Sequence, residues 1–428
     1  MLKIIEWENI SESARKPLFS RPVSGTSVQD LVQDIISAVQ TRGDQALREF
    51  TREFDKQEPD SIIVSRERIA NAEISAEAYT AIKTAINTIT RYHEATMPSS
   101  LTVNTAPGIT IQRLYRPIEK VGLYVPGGNN TPLISSLLMQ AIPAKIAGCP
   151  VKVLCTPVNK TGLIDPHLLV AARLCNIDTI YQLGGAQAIA AMAYGSESVT
   201  KVDKLFGPGN SFVTEAKSQV AKDPKGAAID MPAGPSEVMI VADNYANPEF
   251  IAADLLAQAE HGVDSQVFLL CESNTLARAV QEALAKQINT LSRQSVIKEA
   301  LSHSAIIVCR GRDEQVELIN NYAPEHLIIN CRDAGDWVPD INAAGTIFLG
   351  QWAAETMGDY VTGSNHVLPT NGYAKSHSGL GTVDFLKMIS VQSVAEEGIK
   401  TLGDAAATLA RLEGLDAHAN AIKIRLGE

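Results

Sequence analysis

Val121-Gly-Leu-Tyr-Val-Pro-Gly-Gly-Asn-Asn130 runs from a short apolar stretch into a turn rich in glycine. Residues 132–147 then show helical periodicity and are closed by Gly148. The same unit returns twice. Thr179–Leu183 is followed by Gly184-Gly185 and a helical pattern over Ala186–Tyr194 that stops at Gly195; Val202–Phe206 is followed by Gly207-Pro-Gly-Asn210 and a helical pattern over 211–221. Strand, glycine turn and helix in succession predict a parallel sheet covered by helices. Ligands of such sheets settle where the turns leave the strands, near helix N-termini suited to phosphate. GxGxxG is absent, so the turns point to a dinucleotide crevice only in combination.

A second α/β set lies further along. Strand patterns occur at Val238–Val241, Gln266–Cys271, Ala305–Val308, Leu327–Ile329 and Thr346–Leu349, with helical patterns at 249–261, 275–289 and 313–321. Upstream, 28–53 and 65–96 read as helices, the first interrupted by Gly43, and Ile109–Leu114 alternates like a strand. The expected fold class is α/β: two parallel-sheet domains of incomplete Rossmann type, a small N-terminal arm and a helical C-terminal tail. The expected division is an arm over 1–26, a discontinuous α/β domain made of 27–118 with 237–381, a second α/β domain over 119–236 carrying the glycine turns, and a tail of two short helices over 382–428. Glu325-His326 and residues 350–375 are expected outside regular elements, in loops held by the scaffold.

A chain of 428 residues exceeds one compact core, and 45% hydrophobic with 20% charged residues is ordinary for a globular protein. The balance of 37 basic against 48 acidic residues, net −11, disfavours nucleic acid or an anionic membrane as partner. No apolar run approaches the roughly 20 residues that span a bilayer. The acidic start, Met1-Leu-Lys-Ile-Ile-Glu-Trp-Glu8, does not read as a signal peptide. The six cysteines form no CxxC pair; they read as small buried hydrophobes of a reducing cytoplasm rather than as an aldehyde-binding thiolate.

Chemistry concentrates in a few polar runs. Asn247-Pro248 reads as a helix start, and Gln258 and His261, three apart near its end, are expected on one face. The dyad Glu325-His326 follows Pro324, where a bent backbone would let neighbouring side chains reach one place. Asp359, His366 and His418 complete the inventory, while His93, His167, His303 and His377 read as surface or loop hydrogen-bonding residues. Nitrogen and oxygen donors of this kind suit a borderline divalent cation. No compact metal-ligand spacing is present, and each donor alone has a bland reading: a helix-end histidine, a turn aspartate, a solvated surface histidine.

The ordered set of motifs carries more. Tyr124-Val-Pro-Gly-Gly128, Leu183-Gly-Gly-Ala-Gln187, Phe206-Gly-Pro-Gly-Asn210, Asp230-Met-Pro-Ala-Gly-Pro-Ser236-Glu237, Gln258-Ala-Glu-His261, Ala323-Pro-Glu-His-Leu327, Gly358-Asp-Tyr360, Asn365-His-Val-Leu-Pro-Thr370 and Ser378-Gly-Leu380 together resemble the histidinol dehydrogenase family over essentially the whole chain. The resemblance implies NAD-dependent, four-electron oxidation of L-histidinol to L-histidine in the cytoplasm, as the last step of histidine biosynthesis. It implies one Zn2+ per subunit held by Gln258, His261, Asp359 and His418. It implies Glu325 and His326 as catalytic residues, the first activating water and the second taking protons. Substrate contacts fall to Ser236, Gln258, His261, His326, Asp359, Glu413 and His418, and NAD contacts to Tyr124, Gln187 and Asn210. It further implies a homodimer in which the tail of one subunit enters its partner's site.

Other readings remain open on the residues alone. A zinc dehydrogenase of another small polyol, such as a sulfonated propanediol, would want a basic residue in the pocket, and none stands at the matching positions. A zinc hydrolase would use Glu325 on water and treat the glycine turns as mere turns. A non-enzymatic nucleotide-binding protein would have no need of Glu325-His326.

Overall fold

The computed structural model describes residues 2–22, 28–57, 59–128, 131–232 and 234–428. Asn129 and Asn130 of the first glycine turn, and Ala233, lie outside the described residues.

Two parallel sheets organise the chain. The first has six strands in the order Lys3–Glu6, Ala305–Val308, Gln266–Cys271, Glu237–Ala242, His326–Asn330, Thr346–Leu349. Its three middle strands are wholly buried, so they read as unbroken apolar runs rather than as alternation. The second has five strands in the order Ala228–Ile229, Lys204–Phe206, Lys120–Tyr124, Val151–Thr156, Thr179–Gln182. The α/β class with two parallel sheets is therefore present. No described helix is long and apolar enough to cross a membrane.

The three repeated units fold as read, with helices Ile134–Ala147, Gly185–Tyr194 and Ser211–Lys222. Gly148 and Gly195 end the first two at φ 81° and 83°, where a side chain would be strained. A fourth unit escaped the reading: Val151–Thr156 leads to Pro166–Leu174, a helix capped by the Asp165 carboxylate, 2.8 Å from the amide of His167. The long connection between them carries no glycine turn at the strand end, which is why the repeat did not announce itself.

Several local expectations change. The N-terminal segment is not loose: Lys3–Glu6 is an edge strand paired with Ala305–Val308, too short for its alternation to be visible in sequence. The tail is not all helix. Leu386–Val394 is a strand antiparallel to Ile109–Pro117, pairing Val394 with Ile109, a contact no local pattern reveals. The hairpin of helices Glu396–Leu412 and Asp416–Leu426 follows it. The helices Gln29–Arg42 and Ala76–Ala95 lay their apolar faces on the second sheet's layer, against the helices Gly185–Tyr194 and Ile134–Ala147 respectively.

His93 corrects a surface assignment. It is fully buried, its ring 3.4 Å from Thr382 Oγ1 on one side and 3.4 Å from the Asn365 amide on the other. Burial lowers its imidazole to about 4. The folded state thus prefers neutral His93, whereas the unfolded chain takes up a proton near 6.5. Stability is full above that value and falls as pH drops toward 4. Between pH 7 and 5 this linkage costs about 2 kcal/mol. His93→Asn should lose about that much less over the same interval, read from urea unfolding at both pH values.

Candidate active site

The polar cluster stands at the amino edge of the first sheet. Glu237 opens one central strand and His326 its neighbour, with Val238 in register with His326. The helix Pro248–Ala259 runs from the carboxyl edge back to the amino edge, so its last turn delivers Gln258. Asn247 starts that helix, accepting the Glu249 amide at 2.9 Å. The helix ends at Ala259, two residues before the expected boundary. His261 follows in one further turn, its N–H donating to the Gln258 carbonyl at 3.2 Å. Gln258 is completely buried, while His261 is exposed at the mouth.

Glu325 and His326 were expected outside regular structure, yet His326 begins a strand. The bend lies just before. Ala323 adopts φ 54° at the end of the helix Arg312–Tyr322, and Pro324 and Glu325 then accept the amides of Gly345 and Thr346 at 2.9 and 3.0 Å. A Cβ on Gly345 would sit 2.5 Å from the Glu325 carbonyl oxygen. The approach of these two segments therefore requires glycine.

The backbone of one residue organises the dyad. The N–H of Glu237 donates to Glu325 Oε2 at 2.8 Å, and the carbonyl of Glu237 lies 3.1 Å from His326 Nδ1. Nδ1–H donating there leaves Nε2 as the lone-pair nitrogen. Nε2 is buried without a partner, 3.9 Å from Asp359 Oδ1. An orphaned acceptor in so dry a place points to a group that arrives from outside.

Asp359 comes from a short helix, Glu355–Tyr360, rather than from a loop. Gly358 lets that helix approach, since a Cβ there would lie 2.6 Å from the Phe348 ring. His366 Nδ1 is 3.7 Å from Asp359 Oδ1. Glu355 was not read from sequence. It is buried, 3.8 Å from His326 Nδ1, and together with His326 and Asp359 it forms a group that could hold a metal. Gln258, in the amide orientation its surroundings demand, donates to Glu355 and accepts from the Glu237 N–H at 3.2 Å. Glu355 carries no motif; only its following helical turn, Gly358-Asp359, could have marked the segment.

Burial governs every charge here. It raises Glu325 and Glu355 well above the ordinary carboxylate range, with neighbouring acids adding to the effect, and raises Asp359 to about 6. It lowers His326 to about 3 and His366 to about 4, with His261 contributing to both. His261 is itself lowered, first by the protein atoms that crowd its open ring and then by Arg293. Neutral imidazoles beside carboxylates that resist ionisation describe a site short of positive charge. A divalent cation would satisfy that shortage, and the amide, imidazole and carboxylate donors suit one.

Ser236 is half-buried beside Glu237. Glu413 and His418 stand apart: both are exposed on the C-terminal helix hairpin, which packs chiefly on itself. The chain alone does not bring them to the cluster.

The three glycine turns lie at the carboxyl edge of the second sheet. Tyr124 is buried, and its hydroxyl accepts the Gly185 N–H at 2.9 Å. Gln187 is buried with its Nε2 unpartnered. Asn210 is exposed, caps the helix Ser211–Lys222 through the Val213 amide at 3.2 Å, and keeps its own NH2 free of that bond. Gly207, at φ 121°, has no room for a side chain against the Tyr124 carbonyl. These are the features of a backbone cradle with a waiting donor.

The six cysteines are free and buried. Burial pushes the thiols of Cys149 and Cys271 up to about 11 and those of Cys175, Cys309 and Cys331 to about 12, and raises that of Cys155 as well. None is poised as a thiolate nucleophile.

Comparison with known proteins places this arrangement. The family model for histidinol dehydrogenase matches residues 20–426. A histidinol dehydrogenase of Legionella pneumophila (strain Paris) is 60% identical over 426 residues, covering 100% of this chain and 99% of its own length. One from Xanthomonas euvesicatoria pv. vesicatoria is 49% identical over 430 residues, covering 100% and 99%. Among solved structures, histidinol dehydrogenase from Elizabethkingia anophelis superposes with a TM-score of 0.95 at 41% identity, covering 100% of this chain and 98% of that one.

The contact between Glu355 and Gln258 yields a prediction. Glu355→Leu leaves the Gln258 amide unheld and should weaken divalent-metal binding by about 10- to 100-fold. Chelator competition measures it. The urea midpoint of the metal-free protein should hold or rise, because a buried carboxyl has gone.

Proposed function

The chain belongs to the histidinol dehydrogenase family and is an oxidoreductase of histidine biosynthesis, and from that premise we propose how its residues carry the reaction. The observation that carries the reading is the buried, unpartnered Nε2 of His326, which faces Asp359 while the ring's Nδ1 lies toward Glu325. The substrate is L-histidinol, oxidised through the aldehyde to L-histidine with NAD as acceptor.

Gln258, His261 and Asp359 of one subunit, with His418 of a second, would hold zinc; the orphaned imidazole nitrogen and the charge deficit of the pocket support a cation there. Tyr124, Gln187 and Asn210 would hold NAD on the glycine turns of the body spanning 119–236, and the free Gln187 amide supports it. When bound, zinc supplies Lewis acidity that orients the substrate, and NAD supplies the hydride acceptor.

His326 Nε2 takes the hydroxyl proton as hydride leaves the carbon, giving the aldehyde. Glu325, held 2.8 Å from the Glu237 N–H, takes a proton from water as its oxygen adds to the aldehyde carbon. A carboxylate whose pKa burial has raised is the stronger base for that step. His326, once it has passed its first proton to solvent, removes the hydrate proton as the second hydride leaves, giving the acid. Ser236 and Glu413 would read the substrate's polar groups, and Asp359 and His366 frame the same wall.

The exposed apolar surface supports a homodimer. Leu409, Leu412 and Ile424 of the tail hairpin are 60%, 79% and 63% exposed, and Trp352, near the site's short helix, is 78% exposed. Surfaces of this kind support a tail that crosses to a second subunit, taking Glu413 and His418 to its site. A reducing, cytoplasmic setting agrees with six free cysteines.

Two measurements test the reading. L-histidinol with NAD should yield about two NADH per substrate, one for each hydride; a chelator should abolish this and zinc restore it. Hydrolytic turnover without NAD reduction would overturn it. His418→Ala and Glu325→Gln should each be nearly inactive, while refolding them together should recover activity in mixed dimers. Wholly inactive mixtures would count against shared sites.

A further inference from the structure

The dyad is held by the peptide of Glu237, and the side chain of Glu237 has a partner of its own far away in sequence. Its carboxylate is 1% exposed and meets Arg21 in a fork, Nε to Oε1 at 2.5 Å and Nη2 to Oε2 at 3.1 Å. The guanidinium also donates to the Tyr322 carbonyl at 2.8 Å and lies 4.1 Å over the Tyr322 ring. Glu237 Oε1 accepts the Asn371 N–H at 2.9 Å, so the 365–371 segment hangs on the same carboxylate. Arg21 therefore touches, through one buried charge, the start of the strand that orients Glu325 and His326.

We propose that Arg21 is a positioning residue for the Glu325–His326 dyad: its fork fixes the Glu237 carboxylate, and so the Glu237 backbone, whose N–H and C=O aim the two side chains. The proposal deepens the reading of Glu325 and His326 as the reacting groups and rests on it. Without Arg21 the Glu237 carboxylate is stranded in a dry place and must take a proton or admit water. Either response shifts the strand start, and rates respond steeply to small displacements of reacting groups. The guanidinium geometry matters, because a bidentate fork sets direction as a point charge does not.

The N-terminal segment has other anchors, which keeps a structural role separable. Lys3–Glu6 is in the sheet. Phe19 packs between Trp7, Phe268 and Tyr322 at ring distances of 5.7, 5.1 and 5.7 Å, and Gln266 donates to the Ser20 carbonyl at 3.3 Å.

The test compares Arg21→Ala, Arg21→Lys and His326→Asn in the zinc-loaded enzyme. Arg21→Ala should lower kcat by about 10- to 100-fold for histidinol and for the aldehyde alike, with KM changed less than about threefold. Its zinc content should stay at the parent level and its fold intact by circular dichroism. Added guanidinium should restore part of kcat, and Arg21→Lys should recover less than the parent rate. Unchanged kcat in Arg21→Ala, a rate loss that only tracks lost zinc or lost fold, or failure of both guanidinium and lysine to recover any rate would overturn the proposal. His326→Asn should be nearly inactive; if it turns over normally, the reading of the dyad fails instead.

Discussion

The backbone and side chain of Glu237 constrain the site from both sides. Its N–H restrains Glu325 and its C=O sets the tautomer of His326, while its side chain joins Arg21 and the Asn371 amide. A main-chain donor and acceptor at the start of a central strand cannot wander, because the strand is locked between two neighbours in register. The geometry of the Glu325–His326 pair is thus borrowed from sheet geometry. Such support is stiffer than a loop could offer, and the dyad needs it because its two residues are adjacent in sequence and would otherwise diverge.

The location is unusual for parallel sheets, whose ligands generally sit at carboxyl ends. Here the glycine turns occupy the carboxyl edge of the second sheet, whereas Glu237, Gln258, Glu325 and His326 gather at the amino edge of the first. Contacts tie the two bodies together: the Asn365 amide donates to the Met139 carbonyl at 2.7 Å, and Thr370 Oγ1 takes the Gly234 N–H at 2.5 Å. A reaction that passes hydride between a substrate and a separate carrier would gain from this division, with one partner on each sheet as proposed above.

Desolvation dominates the electrostatics. Carboxylates rise and imidazoles fall because water has been excluded before any counter-charge is supplied. The buried Glu237–Arg21 pair shows the compensated case, with its charges matched inside the chain. The Asp359, Glu355 and His326 group shows the uncompensated one. The contrast marks where the fold expects a visitor and where it does not.

Much of this was legible in the chain. Glycine after each strand pattern marked three units of the second sheet; at Gly185 and Gly207 the positive φ favours it, and at Gly207 the Tyr124 carbonyl leaves no room for a side chain. The polar runs at 258–261 and 325–326 marked the site, because burying such groups is costly without a purpose. What stayed hidden depends on distance along the chain. Glu355 has no signature, the edge strand Lys3–Glu6 is too short to show a period, and Leu386–Val394 reads as a strand only once Ile109–Pro117 lies beside it. Local composition sets which segments can be strand, turn or helix, and which side chains resist burial; it determined the class, the turns and the candidate residues. Which of those residues meet is settled by pairing between remote strands, since loop closure and packing act on the whole chain. Arg21 meets Glu237 across 216 positions of sequence because the folded sheet brings their segments together.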